Sequence, residues 1–196
     1  MYEESFQMPF LVRYPRLIQP NSVCDEIISN VDFAATWLDL AGCRVPSYMQ
    51  GKSFLKDLKG IGRPAEERTV AYHRYWMHGD MIHDAYAHYG CRDQRFKIIF
   101  WYNEGLGQPG ARTGGEEQEW ELFDCREDPL ELFSVWSDDK YSEARETMVR
   151  LLEDKMADIG DVPAHPVGLP AYRLVQMYSG KLSNGLVNAK ANQKNL

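Results

Sequence analysis

Four short runs rich in aromatic and β-branched residues, at 69–76, 85–92, 96–102 and 120–124, precede one long stretch of helical periodicity at 141–159. This order constrains the second half of the chain more than any other feature. Runs of this length, separated by turn residues, predict antiparallel strands. Met148, Leu151, Leu152, Met156 and Ile159 fall on one stripe of a helix, and Gly160 follows as its stop. The expected unit is a small four-stranded antiparallel sheet packed against a C-terminal helix. Residues 103–118, with five glycines and one proline, read as a long exposed loop between the last two strands.

The first half has a different character. Residues 9–18 are almost continuously apolar and bounded by prolines, which predicts a strand buried on both faces and ending at Pro15. Val31, Ala34, Ala35, Leu38 and Ala41 recur at helical spacing, and Phe33, Trp37 and Leu40 widen the stripe. Ser29 or Asn30 is expected to cap that helix, Asp32 adds charge to its first turn, and Gly42 ends it. Strand and helix together read as the edge of an α/β layer whose other strands lie outside this chain. Ser53 could cap a short helix ending near Gly60, and a polar connector follows over 60–67. The organisation predicted is an α/β part at 1–60, an α+β part at 68–160, and an extended, partly disordered tail at 161–196, where Pro163, Pro166 and Pro170 break regular structure.

Composition narrows the function classes. A net charge of −7 argues against a nucleic-acid partner, because phosphates call for a basic face. No apolar run approaches the roughly 18–20 residues of a membrane span. Nor does the N-terminus carry a basic segment followed by an apolar one. The compartment is left open. Cys24, Cys43, Cys91 and Cys125 have neither paired nor metal-ligand spacing and read as free thiols.

Several segments, taken in order, resemble a known family. They are Met1-Tyr2-Glu3-Glu4-Ser5, Met8 to Pro15, Val31-Asp32-Phe33, Thr36 to Gly42 and Met49 to Ser53. They continue with His88-Tyr89-Gly90-Cys91-Arg92, Arg95 to Ile99, Glu121-Leu122-Phe123-Asp124, Asp128-Pro129 and Glu131-Leu132. This series resembles the C-terminal portion of formylglycine-dependent sulfatases of the alkaline phosphatase superfamily, of the arylsulfatase or N-sulfoglucosamine sulfohydrolase kind. It covers residues 1–160. Asp93 departs from it where a small hydroxyl residue is common, as does Ser134 where asparagine is usual.

The resemblance implies an alkaline-phosphatase-like sheet layer whose edge lies in 1–60, followed by the sulfatase C-terminal subdomain. It also implies hydrolysis of sulfate esters or sulfamates on a sulfated small molecule or sugar. In the complete family enzyme, calcium and a formylglycine made from a C/S-x-P-x-R motif supply the chemistry: a geminal diol attacks sulfur while fixed positive charge stabilises the transition state. None of the four cysteines here is followed by that Pro and Arg. The chain by itself is therefore expected to have no catalytic residue, metal ligand or cofactor of its own, and to be inactive without an N-terminal catalytic region.

His73, His78, His83 and His88 recur every five residues. On a helix that spacing steps about 140°, and on a strand it alternates faces, so neither geometry gathers four imidazoles around one metal. His88 lies in the matched motif, and the resemblance implies a substrate-facing role for it, with His73 beside it on the neighbouring strand. The other reading for both is structural hydrogen bonding. Arg92 and Lys97 read as a solvated strand face paired with nearby acids, Glu3 and Glu4 as helix- or loop-end charges, and Asp32 and Thr36 as capping and back-bonding residues. Tyr72, Tyr75, Trp76, Tyr86 and Tyr89 read as core, or else as a platform for sugar rings. Two alternatives remain: a non-catalytic glycan-binding module, and a phosphodiesterase-type member of the same superfamily.

Overall fold

The structure is a computed structural model that describes residues 1–61 and 70–166. The described residues fall into two units, one up to Leu152 and a second from Glu153. Four strands, β1 (Ala71–Tyr75), β2 (His88–Arg92), β3 (Phe96–Trp101) and β4 (Glu119–Asp124), form an antiparallel meander in sequence order. Among the described residues, four α-helices accompany them: α1 (Glu3–Phe6), α2 (Asp32–Leu40), α3 (Leu55–Leu58) and α4 (Ser142–Ile159). The mixed architecture expected from the second half, a four-stranded antiparallel sheet followed by one long helix, is present.

Register decides which side chains share a face. Tyr75 pairs with His88, His88 with Trp101, Gly90 with Ile99, and Lys97 with Phe123. Because strand side chains alternate, His73, Tyr75, His88, Arg92, Lys97, Ile99, Trp101, Glu121 and Phe123 lie on one face. Tyr89, Cys91, Ile98, Phe100 and Leu122 lie on the other. There the Cys91 thiol reaches the Met148 carbonyl of α4 at 4.0 Å, and Met148 and Leu152 are fully buried.

The first face is covered by the start of the chain. Met1 packs with Ile99 and Phe123, and Phe6 joins them at the margin. Gly90 makes this approach possible: a Cβ there would stand 2.9 Å from the Met1 sulfur and 2.0 Å from the Ile98 carbonyl oxygen. The residue needed is the one without a side chain. α1 itself had no sequence signal beyond two acidic residues.

Residues 9–18 differ from expectation. They form no strand; residues 7–14 run without regular structure into a turn, and Leu11 is 95% exposed. A central parallel strand exists only between neighbours, and within the described residues none lies beside it. What holds the segment is Phe10, whose ring meets Phe33 at 5.1 Å and Phe54 at 5.9 Å, edge-on in both cases.

The cap position of α2 falls at Val31, one residue past Asn30 and two past Ser29, and carries no side-chain cap. Asp32 instead receives the Ser29 amide at 2.9 Å and the Lys52 amide at 2.8 Å. The Thr36 hydroxyl bonds back to the Asp32 carbonyl and accepts the Phe54 amide at 3.1 Å. Both residues are structural, as their positions suggested. The connector at 60–67 and the tail at 161–196 lie mostly outside the described residues.

Candidate functional site

The face of the sheet under α1 gathers the ionisable groups. Lys97 was expected on a solvated face; it is instead completely buried, with Nζ 2.7 Å from Glu3 and 2.5 Å from Glu131. These are close charge contacts whose angles fall short of good hydrogen bonds. Arg92 joins through its Nε, 2.9 Å from the same oxygen of Glu3. The Glu131 carboxylate also accepts the Glu3 amide at 2.7 Å. Burial pushes the Glu3 carboxyl up, but Lys97 and Arg92 outweigh it and hold the group below its ordinary value. The cluster therefore fastens α1 to β2, β3 and the turn after β4.

Glu3, Glu131 and Cys125 offer ligand atoms within 4.8 Å of one another. The space between the carboxylates is filled by the Lys97 ammonium, so this donor set does not fit a divalent cation such as calcium. Burial, first, pushes the Cys125 thiol up to about 11, which further disfavours a thiolate ligand.

The four spaced histidines divide among three settings. His88, 4% exposed, has Nδ1 2.7 Å from the Tyr86 carbonyl oxygen and Nε2 3.3 Å from the Met1 nitrogen. Its ring lies 4.4 Å from Trp101, is stacked on Tyr75 at 5.6 Å, and is 5.6 Å from His73. Burial, aided by the Met1 amino group, pushes His88 down to about 3, so it is a neutral imidazole over the ordinary pH range. His73 is lowered by the same two causes and meets the Phe6 ring edge-on at 5.6 Å. The expected neighbours are adjacent, in an aromatic cluster beneath α1.

The other two histidines order the loop between β1 and β2. His78 is fully buried; Nδ1 accepts the Ala87 amide at 3.3 Å, and Nε2 lies 2.9 Å from Glu116. With Nδ1 accepting, Nε2 carries the hydrogen toward Glu116. The Arg112 amide bonds the His78 carbonyl at 2.7 Å, and the Arg112 guanidinium pairs with Asp84 at 2.9 Å. These contacts tie residues 76–87 to the glycine-rich loop 103–118. The joined loops hold Asp80, which is buried, and His83, whose side chain is 67% exposed. Trp76, Met81, Ile82 and Tyr86 are exposed on the same loop.

Sequence reasoning expected acids near Lys97 but missed its burial between Glu3 and Glu131, and it missed Asp80. A lysine inside the run Phe96-Lys97-Ile98-Ile99-Phe100 was the available signal, because a charge in a buried strand needs partners brought from afar. Residues quoted in the resemblance do find local work. Asp124 is held by Arg95 through contacts of 2.6–3.1 Å. Asp93 receives the Arg95 and Phe96 amides at 2.7 and 2.6 Å, closing the β2–β3 turn as a hydroxyl residue would.

Comparison with known proteins locates this arrangement. Residues 1–158 match the family described as N-sulphoglucosamine sulphohydrolase, C-terminal. An N-acetylglucosamine-6-O-sulfatase of Bacteroides thetaiotaomicron is 36% identical over 162 residues, covering 82% of this chain and 27% of the relative. Arylsulfatase K of Xenopus laevis is 27% identical over 185 residues, covering 94% of this chain and 32% of the relative. Among solved structures, that of BT4656 in complex with its substrate D-glucosamine-2-N,6-O-disulfate is 35% identical with a TM-score of 0.66, over 76% of this chain and 28% of that one. The chain thus spans about a third or less of the length of these relatives.

Proposed function

This chain belongs to the family of N-sulphoglucosamine sulphohydrolase C-terminal domains, and we propose that it is the C-terminal portion of a sulfatase acting on a sulfated amino sugar. The observation that carries this reading is the continuous match over residues 1–158, at 35–36% identity to a glucosamine-type sulfatase and to a structure holding a glucosamine disulfate. In this reading residues 1–60 complete the edge of a larger α/β domain, and residues 68–160 form the subdomain beside it. Calcium and formylglycine belong to the catalytic region of the complete enzyme. The carboxylates gathered here are neutralised by Lys97 and Arg92, and none of the four cysteines stands in a C/S-x-P-x-R motif.

Exposed apolar side chains support a covering catalytic region. Met8, Phe10, Leu11, Tyr14, Val31, Trp37 and Tyr48 are all exposed on residues 8–48, a density that isolated domains seldom present to water. His88 and His73 enter the proposal from beneath: they support Tyr75, and through it the exposed loop, at the substrate rim. The test is to produce this chain with and without the sulfatase catalytic region and to measure sulfate release from glucosamine 6-sulfate. Release only when both are present is the expected result. A chain that stays monodisperse and never associates with the catalytic region would overturn the reading.

A further inference from the structure

We propose that His83 is a substrate-contacting residue, clasped by Asp80 and Tyr75 so that its outer ring nitrogen, Nε2, binds a hydroxyl or sulfate oxygen of the sulfated sugar. This inference rests on the sulfatase reading above and names the residue at the rim that meets the sugar.

The clasp follows from counting donors. Asp80 Oδ1 accepts the Ile82 amide at 2.9 Å and the His83 amide at 3.0 Å, which closes the turn. Asp80 Oδ2 accepts the Tyr75 hydroxyl. Tyr75 has one proton, and that proton is committed to Asp80. Toward His83 Nδ1, both Asp80 Oδ1 at 3.3 Å and the Tyr75 oxygen at 3.4 Å are therefore acceptors. Nδ1 must carry a hydrogen. Nε2 is left as the free acceptor of a neutral ring, or as a second donor when the ring is protonated. Either state suits a sugar sulfate, whose hydroxyls donate and whose sulfate oxygens accept.

Placement makes this more than a loop tie. His78 and His88 serve the fold and are buried, whereas the His83 side chain is 67% exposed although its inner nitrogen is held. Orienting an exposed side chain costs conformational entropy and gives the fold little in return; it gives a ligand a preorganised partner. The support is rigid, since Tyr75 sits on β1 and stacks on buried His88. Met81, fully exposed, and Ile82 precede His83 on the same loop and present apolar surface of the kind that meets the C–H faces of a sugar ring. Arg112, paired with Asp84 next in sequence to His83, adds a cation to the same pair of loops.

The test uses the complete sulfatase, this chain together with its catalytic region, and three variants. It reads the ratio of kcat/KM for glucosamine 6-sulfate to kcat/KM for 4-nitrophenyl sulfate, which lacks the sugar. Asparagine places its amide where Nδ1 lies and keeps the clasp but not the reach; glutamine places its amide near Nε2. The expected result is that His83→Ala and His83→Asn each lower the ratio about tenfold through KM, the effect of one lost polar contact, while His83→Gln recovers much of it. An Asn variant equal to wild type would make the histidine a structural clasp and overturn the inference. So would a ratio within twofold of wild type in all three. Wild-type enzyme that cleaves the aryl sulfate but no sugar sulfate would overturn it while leaving a sulfatase; cleavage of neither would remove the sulfatase reading itself.

Discussion

Replacing Lys97 by methionine removes one charge from the centre of the buried cluster and changes little of its volume. At 2.5 and 2.7 Å, with an effective dielectric constant of about 20, each contact to Glu131 and Glu3 carries about 6 kcal/mol of attraction. Most of that is offset by the several kcal/mol it costs to take each ion out of water. The offset does not vanish with the lysine, because Glu131, whose side chain is 1% exposed, stays buried and loses its cation. Glu3 keeps Arg92 at 2.9 Å. Lys97→Met should therefore destabilise by about 3–5 kcal/mol, the usual cost of leaving one buried charge unpaired. Glu131→Leu alone strands the lysine in the same way, although Glu3 still faces it. The double variant removes both charges and should recover at least about 2 kcal/mol relative to the sum of the single losses. Urea unfolding followed by tryptophan fluorescence measures all three. A loss below about 1 kcal/mol for Lys97→Met, or strictly additive losses in the double variant, would refute the account of Lys97 as the fastening of α1.

Asp124 makes stability depend on pH in a defined direction. Arg95 first, and neighbouring amides after it, hold its carboxyl below the usual range. Its contribution is therefore present above the unfolded value of about 4 and fades as pH falls through the lowered folded value. Asp124→Asn should be less stable than wild type at pH 7, and the gap should close on acidification below about pH 4; urea midpoints across pH check it. The cysteines should label in order of burial. Cys24 and Cys43 are exposed, whereas Cys91 is fully buried and burial pushes its thiol well above the ordinary value. Iodoacetamide followed by peptide mass analysis should modify Cys24 and Cys43 in the native protein and Cys91 only after unfolding; equal labelling of Cys91 would contradict the packing of α4 on the sheet.

The sheet was legible because its signal is local. Ala71–Tyr75 carries two tyrosines, Phe96–Trp101 is rich in aromatic and β-branched residues, and turn residues punctuate them, so neighbours along the chain are neighbours in space. The helical stripe of Ser142–Ile159 and its Gly160 stop are likewise periodic over a few turns. The run at 9–18 was legible as apolar but not as a strand, since apolarity records burial somewhere and does not name the partner. In the structure Phe10 finds Phe33 and Phe54, while Leu11 stays in the open.

By itself the sequence determined the four antiparallel strands, the long helix, the structural work of Asp32 and Thr36, and the family, all carried by residues close together or by an ordered series of motifs. Tertiary structure alone decided which charges are buried. Lys97 meets Glu3 and Glu131 across separations of 94 and 34 residues, and an alternating strand pattern cannot say whether water or α1 covers a face. It decided the fate of four evenly spaced histidines too: His73 and His88 share a cluster because β1 and β2 pair in one register. His78 is locked to Glu116 across two loops, and only His83 is left facing outward. Spacing along a chain is one-dimensional; which ring nitrogen finds a carboxylate, and which finds solvent, is settled when the loops close.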